Sequence, residues 1–267
     1  MEINKILVGI DFKVSNSQLI KLSFQLAQNL NAQLTFLHCY HPNADDLNTQ
    51  KEDPEKYHLQ ELVKLIDPFA VGFNEVDFGY DVVSDFVVQG LTQYKEDDNY
   101  DLIILGKKKN ESWIPIKSNS IRLSELISTP VIIVPEDFRL IDINHIAFNL
   151  EFEFKEIEKI YDLLIFCNAF NAILTCIHVT DAKSKIEAQN NIGVYHKLFE
   201  GHILEDVINF ELVENANGRE LEFFAKDNEV DFLVLSKTRK TWHNQYLKSK
   251  EEIISEQISI PIMLLDF

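Results

Sequence analysis

The same short patterns occur twice in this chain, about 140 residues apart, and this constrains the architecture before any single residue does. Ala32, Leu34, Thr35 and His38 recur as Ala172, Leu174, Thr175 and His178, an offset of 140. Ile6 to Asp11, an apolar run ending in an acid, recurs at the same offset as Ile146 to Glu151. Asp101-Leu-Ile-Ile-Leu105 recurs as Asp231-Phe-Leu-Val-Leu235, at an offset of 130. Each half therefore acts as a control for the other. A functional residue kept in one copy and lost in the other is visible without a second sequence.

The repeats alternate strand-like and helix-like segments. Ile6–Ile10 is a continuous apolar run, as a strand buried on both faces requires. Ser15 to Gln18 has the pattern of a capping box opening a helix, in which Leu19, Leu22, Leu26 and Leu30 recur at helical spacing. Further strands are expected at 34–39, 76–78 (closed by Gly79), 102–105 and 131–134. Helices are expected from Pro54 to about Ile66, from Val83 to about Lys95, and at 121–127. The second half repeats the order, with strands at 146–150, 173–179, 208–213, 232–235 and 262–265. Its helices fall near 154–169, 183–199, 218–227 and 251–257. Such alternation builds a parallel sheet with helices on both faces. The fold class is α/β, as two tandem open five-stranded parallel-sheet domains, 1–139 and 140–267, with the link around Glu136 to Asn144. Ligands of such sheets bind at the carboxyl ends of the strands, where strand order reverses.

The 267 residues suffice for two domains, and 46% hydrophobic with 25% charged residues is a globular composition. A formal net charge of −18 repels phosphate backbones and anionic lipid heads, so nucleic-acid and membrane partners are not expected. Cys39, Cys167 and Cys176 lie in apolar runs without a C-x-x-C pair, and read as buried thiols in a reducing compartment. The start of the chain has no secretory pattern, and no apolar run approaches a membrane span. A cytoplasmic location is expected.

Lys5-Ile-Leu-Val-Gly-Ile-Asp11, Leu37-His38-Cys39 before Pro42, and Asp101-Leu-Ile-Ile-Leu-Gly106 followed by Ser128-Thr129-Pro130-Val131-Ile-Ile-Val134 resemble the universal stress protein family. The resemblance covers essentially the whole chain, as a tandem two-domain member. It implies an adenine nucleotide alpha hydrolase-like, Rossmann-like unit, with the two units forming an intramolecular pseudo-dimer through antiparallel pairing of residues 131–134 and 262–265. ATP-binding members carry a loop after the fourth strand of the form Gly, two residues, Gly, nine residues, Gly, then Ser or Thr. On this chain the pattern falls on Gly106, Lys109, Asn119 and Ser120, so the first glycine and the serine fit while the others do not. A Cβ at Lys109 or Asn119 restricts the left-handed backbone and keeps phosphate from the main chain. The second half has Ser236 and Arg239, no glycine, and Glu151 in place of aspartate.

The resemblance places Asp11 on the sugar and base side of a nucleotide; equally, an acid there caps the next helix or pairs with a lysine. Cys39 falls where the second strand meets adenine through its backbone, while its side chain reads as core. Lys107, Lys108, Lys109 and Lys117 form a basic cluster, matched by Lys237, Arg239, Lys240, Lys248 and Lys250. Each is an anion site or a solvated loop. Ser120 also reads as a helix cap, and Gly106 as turn chemistry. His38 recurs as His178 but His41 does not recur, which favours a structural histidine over a zinc ligand. Ser17 and Ser23 have no partners that suggest a nucleophile. The expected function is stress adaptation through ligand or partner binding, without catalysis, cofactor or metal. ATP or another anionic ligand is expected to bind weakly or not at all in the first half, and not in the second. The protein partner is unassigned, and a homo-oligomer is open. The rival readings are a nucleotide hydrolase or transferase using the basic loop, and a pure interaction module.

Overall fold

The computed structural model describes residues 2–12, 16–41, 53–107, 123, 126–139, 142–153, 155–201, 207–214, 219–237 and 259–266. The chain divides into two compact units, Glu2–Leu140 and Ile141–Phe267. Each is an open parallel sheet of five strands.

The N-terminal unit contains β1 (Lys5–Gly9), α1 (Ser17–Leu30), β2 (Gln33–Tyr40), α2 (Pro54–Ala70), β3 (Phe78–Ser84), α3 (Val87–Asp98), β4 (Leu102–Lys107) and β5 (Val131–Pro135). Its strand order is β3-β2-β1-β4-β5, every pair parallel. The chain first builds outward from β1 through β2 to β3, then returns to place β4 on the other side. The order therefore reverses between β1 and β4. Ile6, Leu7 and Val8 are fully buried, as covered faces require. α1 turns Leu19, Leu22, Phe24 and Leu26 to the sheet. Phe24 meets the rings of Phe36, Phe73 and Phe78 at centroid distances of 5.4, 5.2 and 5.1 Å.

The C-terminal unit contains β6 (His145–Asn149), α4 (Glu156–Asn168), β7 (Ile173–Thr180), α5 (Lys185–Phe199), β8 (Ile208–Glu214), α6 (Glu220–Asp227), β9 (Phe232–Lys237) and β10 (Ile262–Asp266). Its strand order, β10-β9-β6-β7-β8, is again parallel throughout. Phe148, Phe166 and Phe232 are fully buried in its core.

The two sequence offsets reappear in the bonding. Asp101 Oδ2 accepts the N–H groups of Asn4 and Lys5 at 2.8 and 2.9 Å. Asp231 Oδ2 accepts those of Asn144 and His145 at 2.8 and 3.0 Å. Asn31 and Asn171 both take left-handed φ, at 53° and 54°, as do Asn99 and Glu229 at 52° and 51°. Asparagine tolerates that region, so the ends of the helices are marked alike in both units.

Three expected boundaries move. β3 runs through Gly79 to Ser84 because β2 offers a register partner for every residue of it, from Leu34 opposite Phe78 to Tyr40 opposite Ser84. The following helix therefore starts at Val87, Val83 belongs to the strand, and Phe86 at the N-cap is exposed. Ser15, the first residue of the expected capping box at α1, lies outside the described residues. The N-cap of α1 is Asn16, whose side chain makes no cap bond and whose Nδ2 donates to the Asp11 carbonyl at 2.8 Å. β4 extends to Lys107, which is buried and pairs with Pro135, so this lysine is strand and not solvated loop. The helix expected at 251–257 lies outside the described residues. Of the one expected at 121–127, Ile127 donates to the Leu123 carbonyl at 3.3 Å, a helical turn, and both are buried.

Candidate functional site

In the N-terminal unit the reversal of strand order brings the carboxyl ends of β1 and β4 together. Gly9 is in register with Leu105, so Asp11 and Gly106 leave adjacent strands at the same edge. The chain after β1 is fixed by its backbone. Ile10 N–H donates to the Leu37 carbonyl at 2.9 Å. The His38 ring meets the Ile10 carbonyl through Nδ1 at 2.8 Å. A carbonyl only accepts, so Nδ1 carries the proton. Phe12 stacks on His38 at 3.9 Å, and His38 is itself stacked 5.0 Å from His58. His38 is thus a buried strut between β1 and β2. The same strut recurs in the other unit, where His178 Nδ1 meets the Leu150 carbonyl at 2.6 Å and Phe152 lies 4.2 Å from the ring. Asp11, whose carbonyl accepts from Asn16 Nδ2, is exposed.

Two glycines at this edge differ in kind. A Cβ on Gly9 would lie 2.5 Å from Leu105 Cδ2 and 3.4 Å from Leu91 Cδ1, so a side chain there would force those leucines to shift. Gly106 is exposed, and among the described residues a Cβ there would meet nothing nearer than Leu19 Cδ2 at 3.8 Å, an ordinary contact. Among those residues neither crowding nor a positive φ explains glycine at 106. An exposed glycine backbone suits a close approach by a ligand.

The C-terminal unit has the same edge with different chemistry. Gly9 is replaced by Asn149, whose Nδ2 donates to Glu151 Oε1 at 2.8 Å and ties that carboxylate back. Gly106 is replaced by Ser236, whose Oγ donates to Glu156 Oε1 at 3.4 Å. Glu156 stands where the N-terminal unit has Asn16, and its side chain is fully buried. Its carboxylate accepts the Glu151 N–H through both oxygens, at 2.9 and 3.1 Å, and the Glu153 N–H at 2.8 Å. Burial raises Glu156 from the usual carboxylate range to about 7, against the N–H bonds, which lower it; the carboxylates of Glu151 and Glu153 add to the rise. An anionic ligand arriving here would meet this group, where the N-terminal unit has a neutral amide.

Of the residues expected at the nucleotide site, Asp11, Cys39 and Gly106 are placed, and Lys109, Asn119 and Ser120 lie outside the described residues. So do Lys108, Lys117, Arg239, Lys240, Lys248 and Lys250. Cys39 is half-buried, and its Sγ packs on α3, 2.9 Å from where a Cβ on Gly90 would sit. Burial first, then the Asp85 carboxylate, pushes its thiol up to about 12. Burial likewise lifts Cys167 to about 12 and Cys176 well above its ordinary value. At pH 8 a thiol of that kind is roughly 10⁻⁴ ionised. The native protein is therefore expected to resist iodoacetamide at pH 8, with all three cysteines alkylated after denaturation. Rapid native labelling at Cys39, read by mass spectrometry, would contradict this. Among the described residues no His, Cys, Asp and Glu cluster could hold a metal ion. No helix among them is long and apolar enough to cross a membrane.

Asn149 and Glu156 were not singled out by the sequence reading. The signal was present, because the offset of 140 pairs them with Gly9 and Asn16.

An open parallel sheet whose strand order reverses between β1 and β4, with an acid just after β1 and an exposed glycine near the end of β4, is the class of α/β architecture whose candidate ligand site is the carboxyl edge. Residues 2–135 match the universal stress protein family, half of the chain, and the chain belongs to that family. Solved structures agree in fold. A protein of unknown function from Pseudomonas aeruginosa PAO1 superposes with a TM-score of 0.70 at 14% identity, covering 99% of this chain and 92% of its own. A putative universal stress protein from Pseudomonas aeruginosa UCBPP-PA14 gives 0.70 at 14% identity, with 99% and 93% covered. A universal stress protein from Archaeoglobus fulgidus DSM 4304 gives 0.67 at 11% identity, with 98% and 96% covered. No curated protein sequence matches.

Proposed function

We propose that this chain is a tandem universal stress protein in which one unit binds and the other does not. The N-terminal unit takes an anionic ligand of the adenine-nucleotide type, weakly, at the edge formed by Asp11 and Gly106. The C-terminal unit is a second copy of the family domain whose edge is filled by its own carboxylate. The observation that carries this is the contrast between exposed Gly106 and Ser236 bonded to Glu156. The role is stress adaptation in the cytoplasm through binding and not through turnover. Cys39 contributes through its backbone, since its side chain is committed to α3.

Weak affinity follows from the loop chemistry, because lysine and asparagine replace the glycines whose amides would cradle phosphates. Titration calorimetry with magnesium ATP is expected to give a Kd near 1 mM or weaker, about −4 kcal/mol. Asp11→Ala is expected to weaken it further. Micromolar affinity abolished by Asp11→Ala would overturn the reading of a damaged site. The rival, a hydrolase or transferase using the basic loop, requires phosphate release that depends on Lys107 or Lys109. A phosphate-release assay at high protein concentration separates the two, and no turnover above buffer is expected.

A further inference from the structure

The outward face of α5 is apolar where its counterpart in the other unit is charged. α5 buries Ala188, Ile192, Tyr195 and Phe199 against β7 and β8. Away from that face Ile186, Val194 and Leu198 are 75%, 55% and 48% exposed. With Asn190 they form one row at a spacing of four residues, a continuous ridge on a helix. α4 widens the patch. Tyr161 packs on Phe199 at 5.2 Å, Ile165 follows one turn later, and both are exposed. Apolar residues scattered singly on a surface need no explanation, but a cluster on two adjoining helices does.

The N-terminal unit supplies the control. Lys21 lies over the Phe69 ring at 6.0 Å, as Tyr161 lies against Phe199, so the helices align at offsets of 140 and 130. On that alignment Tyr161 and Ile165 replace Lys21 and Gln25. The row Ile186, Asn190, Val194 and Leu198 replaces Lys56, Gln60, Lys64 and Pro68. Lys64 is exposed and paired with Glu61 at 2.8 Å. The fold therefore does not demand apolar residues at these positions.

The charges on α5 point to the occupant. Glu187 and Lys197 are both exposed and stand one residue inside the two ends of the row. Against a second α5 running antiparallel, with the twofold axis level with Ile192, Ile186 meets the partner's Leu198 and Asn190 meets the partner's Val194. Glu187 then meets the partner's Lys197. The row is complementary to itself in both its apolar and its charged positions, as a twofold contact requires. Rows at four-residue spacing interdigitate with like rows, the commonest packing of two helices. Gly193 beside the axis adds no bulk, and among the described residues a Cβ there would meet nothing within 4 Å. The net charge of −18 on each copy opposes association, while the acid and base of this row balance.

We propose that the chain pairs with a second copy of itself through α5 of the C-terminal unit, antiparallel about that axis, with Tyr161 and Ile165 extending the contact at the Leu198 end. Sedimentation velocity of the full chain reads this. A monomer–dimer equilibrium is expected with a Kd on the order of 10 µM, as suits a small interface. Val194→Glu places an acid from each copy beside the axis and is expected to leave a monomer even at about 200 µM. Lys64→Glu, the matching change in the N-terminal unit, should leave the dimer as it is. Glu187→Lys and Lys197→Glu should each raise the Kd about tenfold or more, and the double exchange should restore it. All four positions are exposed, and an unchanged far-UV signal checks that each variant is folded. A wild-type chain that stays monomeric at about 200 µM would overturn the proposal and leave the face to a different protein. A dimer that survives Val194→Glu, one lost equally on Lys64→Glu, or a double exchange no tighter than the single ones would overturn it as well.

Discussion

Phe24→Ala is expected to lower the stability of the N-terminal unit by about 3–5 kcal/mol, the range for emptying a buried aromatic site. Phe24 is fully buried on α1 and touches rings from β2, β3 and the turn at Phe73. Its removal leaves a cavity among groups fixed by three different elements, so collapse around it is limited. The loss also reaches the ligand edge. α1 carries Leu19, which borders Gly106, and starts beside Asn16, which holds the Asp11 carbonyl. Chemical denaturation followed by tryptophan-independent far-UV signal gives the number. A change under about 1 kcal/mol would mean that α1 does not pack as described.

Glu156→Gln is expected to do the reverse in the other unit, stabilising it above pH 7 by up to about 3.5 kcal/mol, since 7 minus 4.5 is 2.5 pH units at about 1.4 kcal/mol each. A raised folded-state value means that the wild-type group favours folding below 4.5, and that this contribution is lost as pH rises through about 7. The difference between variant and wild type should therefore vanish near pH 4.5 and be full above 7. The two N–H bonds to the carboxylate oppose this, since an amide has one acceptor oxygen for two donors. If Glu156→Gln is less stable than wild type by the same amount at every pH, those bonds outweigh burial and Glu156 is an ordinary loop anchor.

The architecture was legible because it rests on repetition. Buried parallel strands must be apolar along their whole length, so Ile6–Ile10 and Ile146–Leu150 announce themselves, and a conserved strut such as His38 and His178 survives at the same offset. Boundaries were less legible where pairing partners decide them. β3 passes through Gly79 because β2 is long enough to pair with it, a fact no local pattern carries. At the candidate site, the glycine pattern drew attention to Gly106, but it says nothing of Gly9, where a Cβ would press on a leucine of the neighbouring strand. Nor does any motif show that Glu156 turns inward to collect backbone amides, because a side chain satisfying its own loop has no spacing rule. Comparing the halves at offset 140 exposes it, as Asn16 against Glu156 and Gly9 against Asn149.

The central claim is one-sidedness: an open edge in the first unit and a self-filled edge in the second. Amide chemical shifts of the full chain, recorded during titration with millimolar magnesium ATP at pH 7, test it most directly. Ligand-dependent shifts are expected at Gly9–Asp11 and Leu105–Lys107, with Asn149–Glu151 and Leu235–Lys237 unmoved. Comparable shifts at the second set, or none at the first, would contradict the account.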